Sequence, residues 1–302
     1  MIPFYKSRLI SNYNMIDELE DKFAEYTGFN FAIAVDSCTS AIKLSLMVKK
    51  HIIGESVSIP ACTYVSVANE IIMQGKRVIF DDRICVGRPY ELGATGIFDS
   101  AHAVDQDSGR FYHADEMYCY SFYPTKLCPS YQGGMICTNS KYIADKLKYL
   151  RQMGRTDYGP SYDVVSIGPK CNMTPIQAYE ALRSLKRLPK VKVDQSNQAA
   201  YYHRNIPAHV VTPHLFVAKV PEGIDIDHLL AYAILHGVQL SRHFKPIYRF
   251  TAYESMKVDP KYYPVSEMYY NTAISLPIYP GLKKRDQDKV IKLLRGYIYG
   301  ER

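Results

Sequence analysis

Lys126 stands in the run Ser121-Phe-Tyr-Pro-Thr-Lys126, just past an apolar stretch and ahead of Gly133-Gly134. An amine on a loop beyond a strand end can reach into a cleft without blocking the sheet, and there form an imine with a carbonyl compound. Asp99 ends the run Thr95-Gly-Ile-Phe98. A carboxylate at the carboxyl end of a buried strand can keep a nearby heteroaromatic nitrogen protonated. Ser37-Cys-Thr-Ser40 is a turn that runs straight into a helical pattern. Its hydroxyls and free amide N–H groups are suited to a phosphate. Each feature also has an ordinary alternative: a surface loop lysine, and a plain helix N-cap for both Asp99 and the Ser37 turn.

These residues need a scaffold that gathers strand ends. Ile16, Leu19, Phe23 and Tyr26 recur at helical spacing, and Thr27-Gly28 stops that helix. Phe31–Val35 reads as a buried strand, followed by a helix through Ile42, Leu44 and Met47. Further strands are expected at Val57–Ile59, Arg77–Phe80, Gly96–Phe98, Tyr118–Phe122 and Met135–Cys137, with helices at about 65–73, 141–153 and 174–188. This alternation predicts an α/β domain over residues 1–192, with a mostly parallel central sheet flanked by helices. From about Val193 the texture changes to a helix at Gln195–Tyr202, strand Leu215–Val220, helix Asp225–Leu235, strand Val238–Leu240 and helix Lys284–Tyr297. Residues 193–302 are therefore expected to form a small α+β domain.

Composition narrows the classes. The chain has 302 residues, 47% hydrophobic and 22% charged, an ordinary globular balance. No run approaches the roughly 18 apolar residues of a membrane span, and Met1-Ile-Pro-Phe-Tyr-Lys6 lacks a signal-peptide core. The seven cysteines include no C-x-x-C pair, which points away from a metal cluster and toward reduced thiols in the cytoplasm. A net charge of +7 is spread along the chain without a nucleic-acid motif. A mild positive field can instead collect a polyanionic small substrate.

Five stretches carry a resemblance. They are Phe23-Ala-Glu-Tyr-Thr-Gly28 with Ala32-Ile-Ala-Val-Asp-Ser-Cys-Thr-Ser-Ala41; Ile59-Pro-Ala-Cys-Thr-Tyr-Val-Ser66; Phe98-Asp-Ser-Ala-His-Ala103; Ser121–Lys126 with Gly133-Gly134; and Ser275-Leu-Pro-Ile-Tyr-Pro280. In this order they resemble the DegT/StrS family of sugar aminotransferases, which are fold-type I pyridoxal phosphate (PLP) enzymes. The resemblance implies PLP held by Lys126 as a Schiff base, with Asp99 on the pyridine nitrogen and His102 near the ring hydroxyl. Tyr64 would stack on the ring, with a core tyrosine as its alternative, and Cys38, Thr39, Ser40 and Ser121 would surround the phosphate. It further implies a homodimer with sites at the interface, and ping-pong transfer from glutamate or glutamine to a keto sugar, nucleotide-linked. Two other readings stay open: sugar dehydration, against which Lys126 argues because that branch carries His there, and a PLP-binding or cofactor-free scaffold protein.

The chain also departs from the family pattern. Cys38 stands where Gly is usual, and Tyr131-Gln132-Gly133-Gly134 lacks a carboxylate. The usual Gly-x-Asn-x-Arg run is here Gly168-Pro-Lys170-Cys-Asn172, so Lys170 takes the place of the amide that reaches the neighbouring subunit's phosphate. A surface lysine is its alternative. Only 15 residues separate Asp82 from Phe98, where an additional strand–helix–strand passage is usual, and the chain begins close to the first helix. Arg242 falls where it could clamp a donor carboxylate in a bidentate pair, or form a surface salt bridge.

Overall fold

Apolar residues at i, i+3 and i+4 give the first helix, α1 (Asn14–Thr27), and bury its Leu19 and Phe23 completely. The structure is a computed structural model that describes residues 14–156 and 161–300; Met1–Lys6 lies outside them. After α1 come β1 (Phe31–Val35), α2 (Cys38–Lys49), β2 (Ser56–Pro60), α3 (Val65–Met73) and β3 (Arg77–Asp81). Then follow β4 (Tyr90–Glu91), β5 (Ile97–Asp99), β6 (Met117–Ser121), β7 (Gly134–Thr138), α4 (Lys141–Leu150) and the long α5 (Pro175–His203). The chain ends with β8 (Ala208–Val211), β9 (Phe216–Lys219), α6 (Ile226–Leu235), α7 (Pro264–Thr272), β10 (Ala273–Leu276) and α8 (Lys284–Tyr299).

Its described residues divide into two compact units, one within 14–58, 69–78 and 89–188 and the other within 59–68, 79–88 and 189–300. The first is built on a five-stranded sheet in the order β1-β7-β6-β5-β4. The α/β class with a helix-flanked sheet is as expected, but the sheet is mixed rather than mostly parallel. β5 and β6 pair in parallel, whereas β1 with β7, β7 with β6, and β4 with β5 are antiparallel. β1, β5 and β6 therefore run the same way, and their carboxyl ends meet at one edge. Strand direction left no mark in the sequence because β6 and β7 are buried on both faces, so their side chains read alike either way.

The second unit holds the sheet β10-β9-β8, covered by a core that includes Tyr202, Phe216, Leu229, Ile274 and Leu294. A second cluster, with Cys62, Val86, Val210, Val217 and Tyr269, shows why two earlier segments belong to this unit. The expected 192/193 boundary falls inside α5. The two separate helices expected there are one, which continues through Pro189. A proline removes one backbone bond and costs a helix interior roughly 3 kcal/mol. Buried Leu185 and Leu188 before it, and Ala199 and Tyr202 after it, offset that loss. The expected strand Val238–Leu240 is not formed; the segment makes a single bridge, from Ser241 to Ser275. Among the described residues no helix is long and apolar enough to cross a membrane, and no group of three or more His, Cys, Asp or Glu is placed to hold a metal.

Candidate active site

The shared edge of β1, β5 and β6 gathers the first unit's chemistry. Asp99 is the last residue of β5, pairs with Cys119 on β6, and is buried. The helix N-cap alternative does not apply, because Asp99 opens a turn: its Oδ1 accepts the Ala101 N–H at 2.9 Å. Its Oδ2 accepts the Tyr90 hydroxyl at 3.2 Å. Burial raises the Asp99 pKa above the ordinary carboxylate value, while the Ala101 N–H, Lys126 and Tyr90 oppose that rise. Ser100–Ala103 is a tight turn, closed by Ala103 N–H to Ser100 O at 3.1 Å, and it carries His102 half-buried.

Lys126 sits on a loop with fixed ends. Phe122 N–H donates to Gly133 O at 2.9 Å and Ser130 N–H to Phe122 O at 2.7 Å. Inside the loop, Lys126 N–H donates to Tyr123 O at 2.9 Å, and Leu127 and Cys128 are buried. Ser130 Oγ donates to Gln177 O on α5 at 2.8 Å. Burial lowers the Lys126 pKa, with Asp99 and Cys38 partly opposing it. A lowered ammonium pKa makes more of the neutral amine available for imine formation.

The turn into α2 does what its composition allows. Ser37 caps the helix, its Oγ accepting the Ser40 N–H at 3.1 Å, and Ala41 N–H donates to Ser37 O at 3.0 Å. The Cys38 and Thr39 amides, at the first two helical positions, have no intrahelical acceptor and suit an anion. Cys38 needs no glycine-like backbone, since it is not among the residues with positive φ. Its thiol is turned to the sheet and donates to Cys119 O at 3.7 Å. Burial pushes that thiol well up, so it stays protonated. Ser40 is engaged within the protein, its hydroxyl accepting from Ser37 Oγ at 3.1 Å.

Gly134 explains how close this turn lies to the sheet. A Cβ there would stand 2.6 Å from the Ser37 carbonyl carbon and 2.7 Å from Cys38 N. Gly134 also pairs with Val35 on β1 and with Ser121 on β6. Buried Ser121, whose Oγ accepts the Tyr123 N–H at 3.3 Å, is thereby brought beside the turn. Phosphate donors, a buried carboxylate and an amine of lowered pKa thus share one edge, and they fit a phosphorylated, ring-bearing aldehyde such as PLP.

The other expected site residues are described each within its own unit. Lys170 is exposed in the first unit, bridged by its backbone to Gln152. Tyr64 belongs to the second unit; the residue is 58% exposed, and its ring lies 6.0 Å from that of Phe244. Arg242, also there, pairs with Asp227 at 3.4 Å and lies over the Tyr270 ring at 4.5 Å. The salt-bridge alternative is therefore realised, although its Nε is buried with no hydrogen-bond partner among the described residues. Sequence reasoning missed Tyr90. The glycine-bearing run Leu92-Gly-Ala-Thr-Gly96 between two short β-prone segments was the hairpin signal that could have found it.

Comparison with known proteins shows the family of the chain. The profile of the DegT/DnrJ/EryC1/StrS aminotransferase family matches residues 3–83 and 91–295. The spore coat polysaccharide biosynthesis protein SpsC of Bacillus subtilis (strain 168) is 27% identical over 363 residues, covering 98% of this chain and 92% of SpsC. An alignment of that length against a 302-residue chain means that SpsC carries insertions absent here. The putative sugar aminotransferase Spr1654 from Streptococcus pneumoniae superposes in its apo-form with a TM-score of 0.83 at 19% identity, over 98% of this chain and 93% of Spr1654. Its PLP-form and PMP-form give 0.81 and 0.82. DesV of S. venezuelae gives 0.79 at 20% identity, over 94% of this chain and 89% of DesV. The chain belongs to the DegT/DnrJ/EryC1/StrS aminotransferase family and is a PLP-dependent aminotransferase.

Proposed function

We propose that this aminotransferase moves an amino group from glutamate or glutamine to a nucleotide-linked keto sugar, in two ping-pong half-reactions. The observation that carries the reading is the meeting, at one sheet edge, of buried Asp99, Lys126 with its lowered pKa, and the donor-rich Ser37–Ser40 turn. When bound, PLP supplies a ring that stabilises negative charge on the carbon from which a proton is removed. Asp99 would keep the pyridine nitrogen protonated, and by the family resemblance Tyr64 would cover the ring face. His102 sits by the ring hydroxyl. The Cys38 and Thr39 amides with the Ser121 hydroxyl hold the phosphate, and Ser40 keeps that turn in shape.

Lys126 anchors the cofactor through its amine. With PLP bound, the same amine would hold and move a proton between the donor's Cα and the cofactor's C4′ carbon, and in reverse for the ketone. By the same resemblance Arg242, which now pairs with Asp227, would take the donor's carboxylate. Lys170 completes the phosphate site of a second subunit in a homodimer. Support for that pairing comes from the exposed apolar run before it, where Val164 and Val165 are each 54% and Ile167 is 92% exposed. We place the enzyme in the cytoplasm, where its seven free thiols persist.

The test is to load the protein with PLP and follow its visible absorption. Glutamate or glutamine should bleach the band, and a nucleotide-linked keto sugar, drawn from a panel, should restore it. A band that no amino donor discharges would defeat the donor assignment. One restored only by free keto acids would defeat the sugar assignment.

A further inference from the structure

The segment from Asp82 to Phe98, shortened relative to the family pattern, does more than close a gap. Residues 84–90 are the internal gap between the two stretches that the family profile matches. Here the segment ends in β4, an antiparallel edge strand whose Tyr90 lies opposite Asp99 in the ladder. Tyr90 and Asp99 are both buried at 8% exposure, and the tyrosine hydroxyl donates to Asp99 Oδ2 at 3.2 Å.

Two fixed donors on the two oxygens of one carboxylate have a geometric consequence. An aspartate's terminal torsion is broad and close to two-fold, so a single donor leaves the carboxylate plane free to swing. Ala101 N–H holds Oδ1 at 2.9 Å, and the Tyr90 hydroxyl holds Oδ2 from another strand. A carboxylate offers about four lone-pair sites, so two such bonds leave capacity for a ring N–H. The groups that bear on Asp99 electrostatically are Cys38 from α2, Cys119 from β6 and Lys126 from the loop after β6. Of these only Lys126 carries a positive charge, so Tyr90 and the Ala101 amide are the neutral donors that favour the ionised carboxylate.

We propose that Tyr90 is a positioning residue, supplied by the strand that replaces the family's longer passage, which orients Asp99 toward the pyridine nitrogen and keeps it ionised. The inference rests on the reading of Asp99 as the partner of that nitrogen. Tyr90→Phe keeps the ring that fills the site and removes only the donor. Its test is titration of the apo-protein with PLP across pH, read by visible absorbance, beside thermal unfolding of the apo-protein. A hydrogen bond to a charged group predicts cofactor binding weakened on the order of tenfold in Tyr90→Phe. Because the lost donor had lowered the Asp99 pKa, the acid limb of the affinity profile should move to higher pH.

Asp99→Asn, run in parallel, separates the two levels. If Asp99→Asn weakens PLP binding and Tyr90→Phe lowers only the melting temperature, leaving affinity and acid limb as in the parent, the inference falls alone. If Asp99→Asn binds PLP as the parent does, the reading of Asp99 falls and the role of Tyr90 with it.

Discussion

Replacing Gly134 with alanine should damage the cofactor site through the backbone alone. The new Cβ would stand 2.6 Å from the Ser37 carbonyl carbon and 2.7 Å from both Ser37 O and Cys38 N. These are main-chain atoms and cannot rotate aside, so the turn or β7 must retreat by roughly 0.8 Å to reach ordinary contact. Overpacking of this kind costs about 1–3 kcal/mol, a fall in melting temperature of a few degrees for a chain of this size. The functional effect should be larger. The displaced atoms begin α2, whose Cys38 and Thr39 amides are the proposed phosphate donors, and charge-assisted bonds are worth about 1.5–3 kcal/mol each. Misplacing them should weaken PLP binding by one to two orders of magnitude. Gly54→Ala is the control, because a Cβ there meets nothing within 4 Å. The assay is equilibrium titration with PLP alongside thermal melts. A Gly134→Ala protein that binds PLP as tightly as the parent would refute the assignment of this turn to the phosphate.

Other outcomes follow from the same geometry. Glu20 and Arg151 form a buried ion pair; Glu20 also accepts the Ala34 N–H at 2.8 Å, and Arg151 donates to Ala34 O at 2.8 Å. Glu20→Ala should cost about 3–5 kcal/mol in urea unfolding, and a loss below about 1 kcal/mol would show the pair to be dispensable. Lys170→Ala should weaken PLP binding about fivefold or more without changing the melt of the apo-protein; unchanged affinity would return Lys170 to the surface. Asp99 has a raised pKa in the fold, so its contribution to apo-protein stability is full below the unfolded value and declines as pH rises through the folded one. Asp99→Asn should lack that decline in melts taken from acidic to neutral pH, and a profile parallel to the parent's would contradict it.

Much of this was legible in the chain. Asp99, Ser121, Lys126 and the Ser37 turn could be placed at strand ends because Phe31–Val35 and Tyr118–Phe122 are short apolar runs bounded by turn residues. What escaped has physical reasons. Pro189 reads as a helix break, yet the burial of Leu188 and Tyr202 on either side carries α5 through it. β4 is two residues long, too short for a period of two to register. Its importance lies in pairing with Asp99 and could not come from its own composition. Cys38 reads as a defect in a turn that usually has glycine, until its thiol is seen to bond Cys119 O. Tyr64, Arg242 and Lys170 were named by resemblance alone.

The central claim is that Lys126 bonds the cofactor. Borohydride reduction of the PLP-loaded protein, followed by proteolysis and mass spectrometry, tests it directly. The account predicts a single phosphopyridoxyl adduct on the peptide containing Lys126, and none in a Lys126→Ala protein. An adduct on another lysine, or none at saturating PLP, would contradict it.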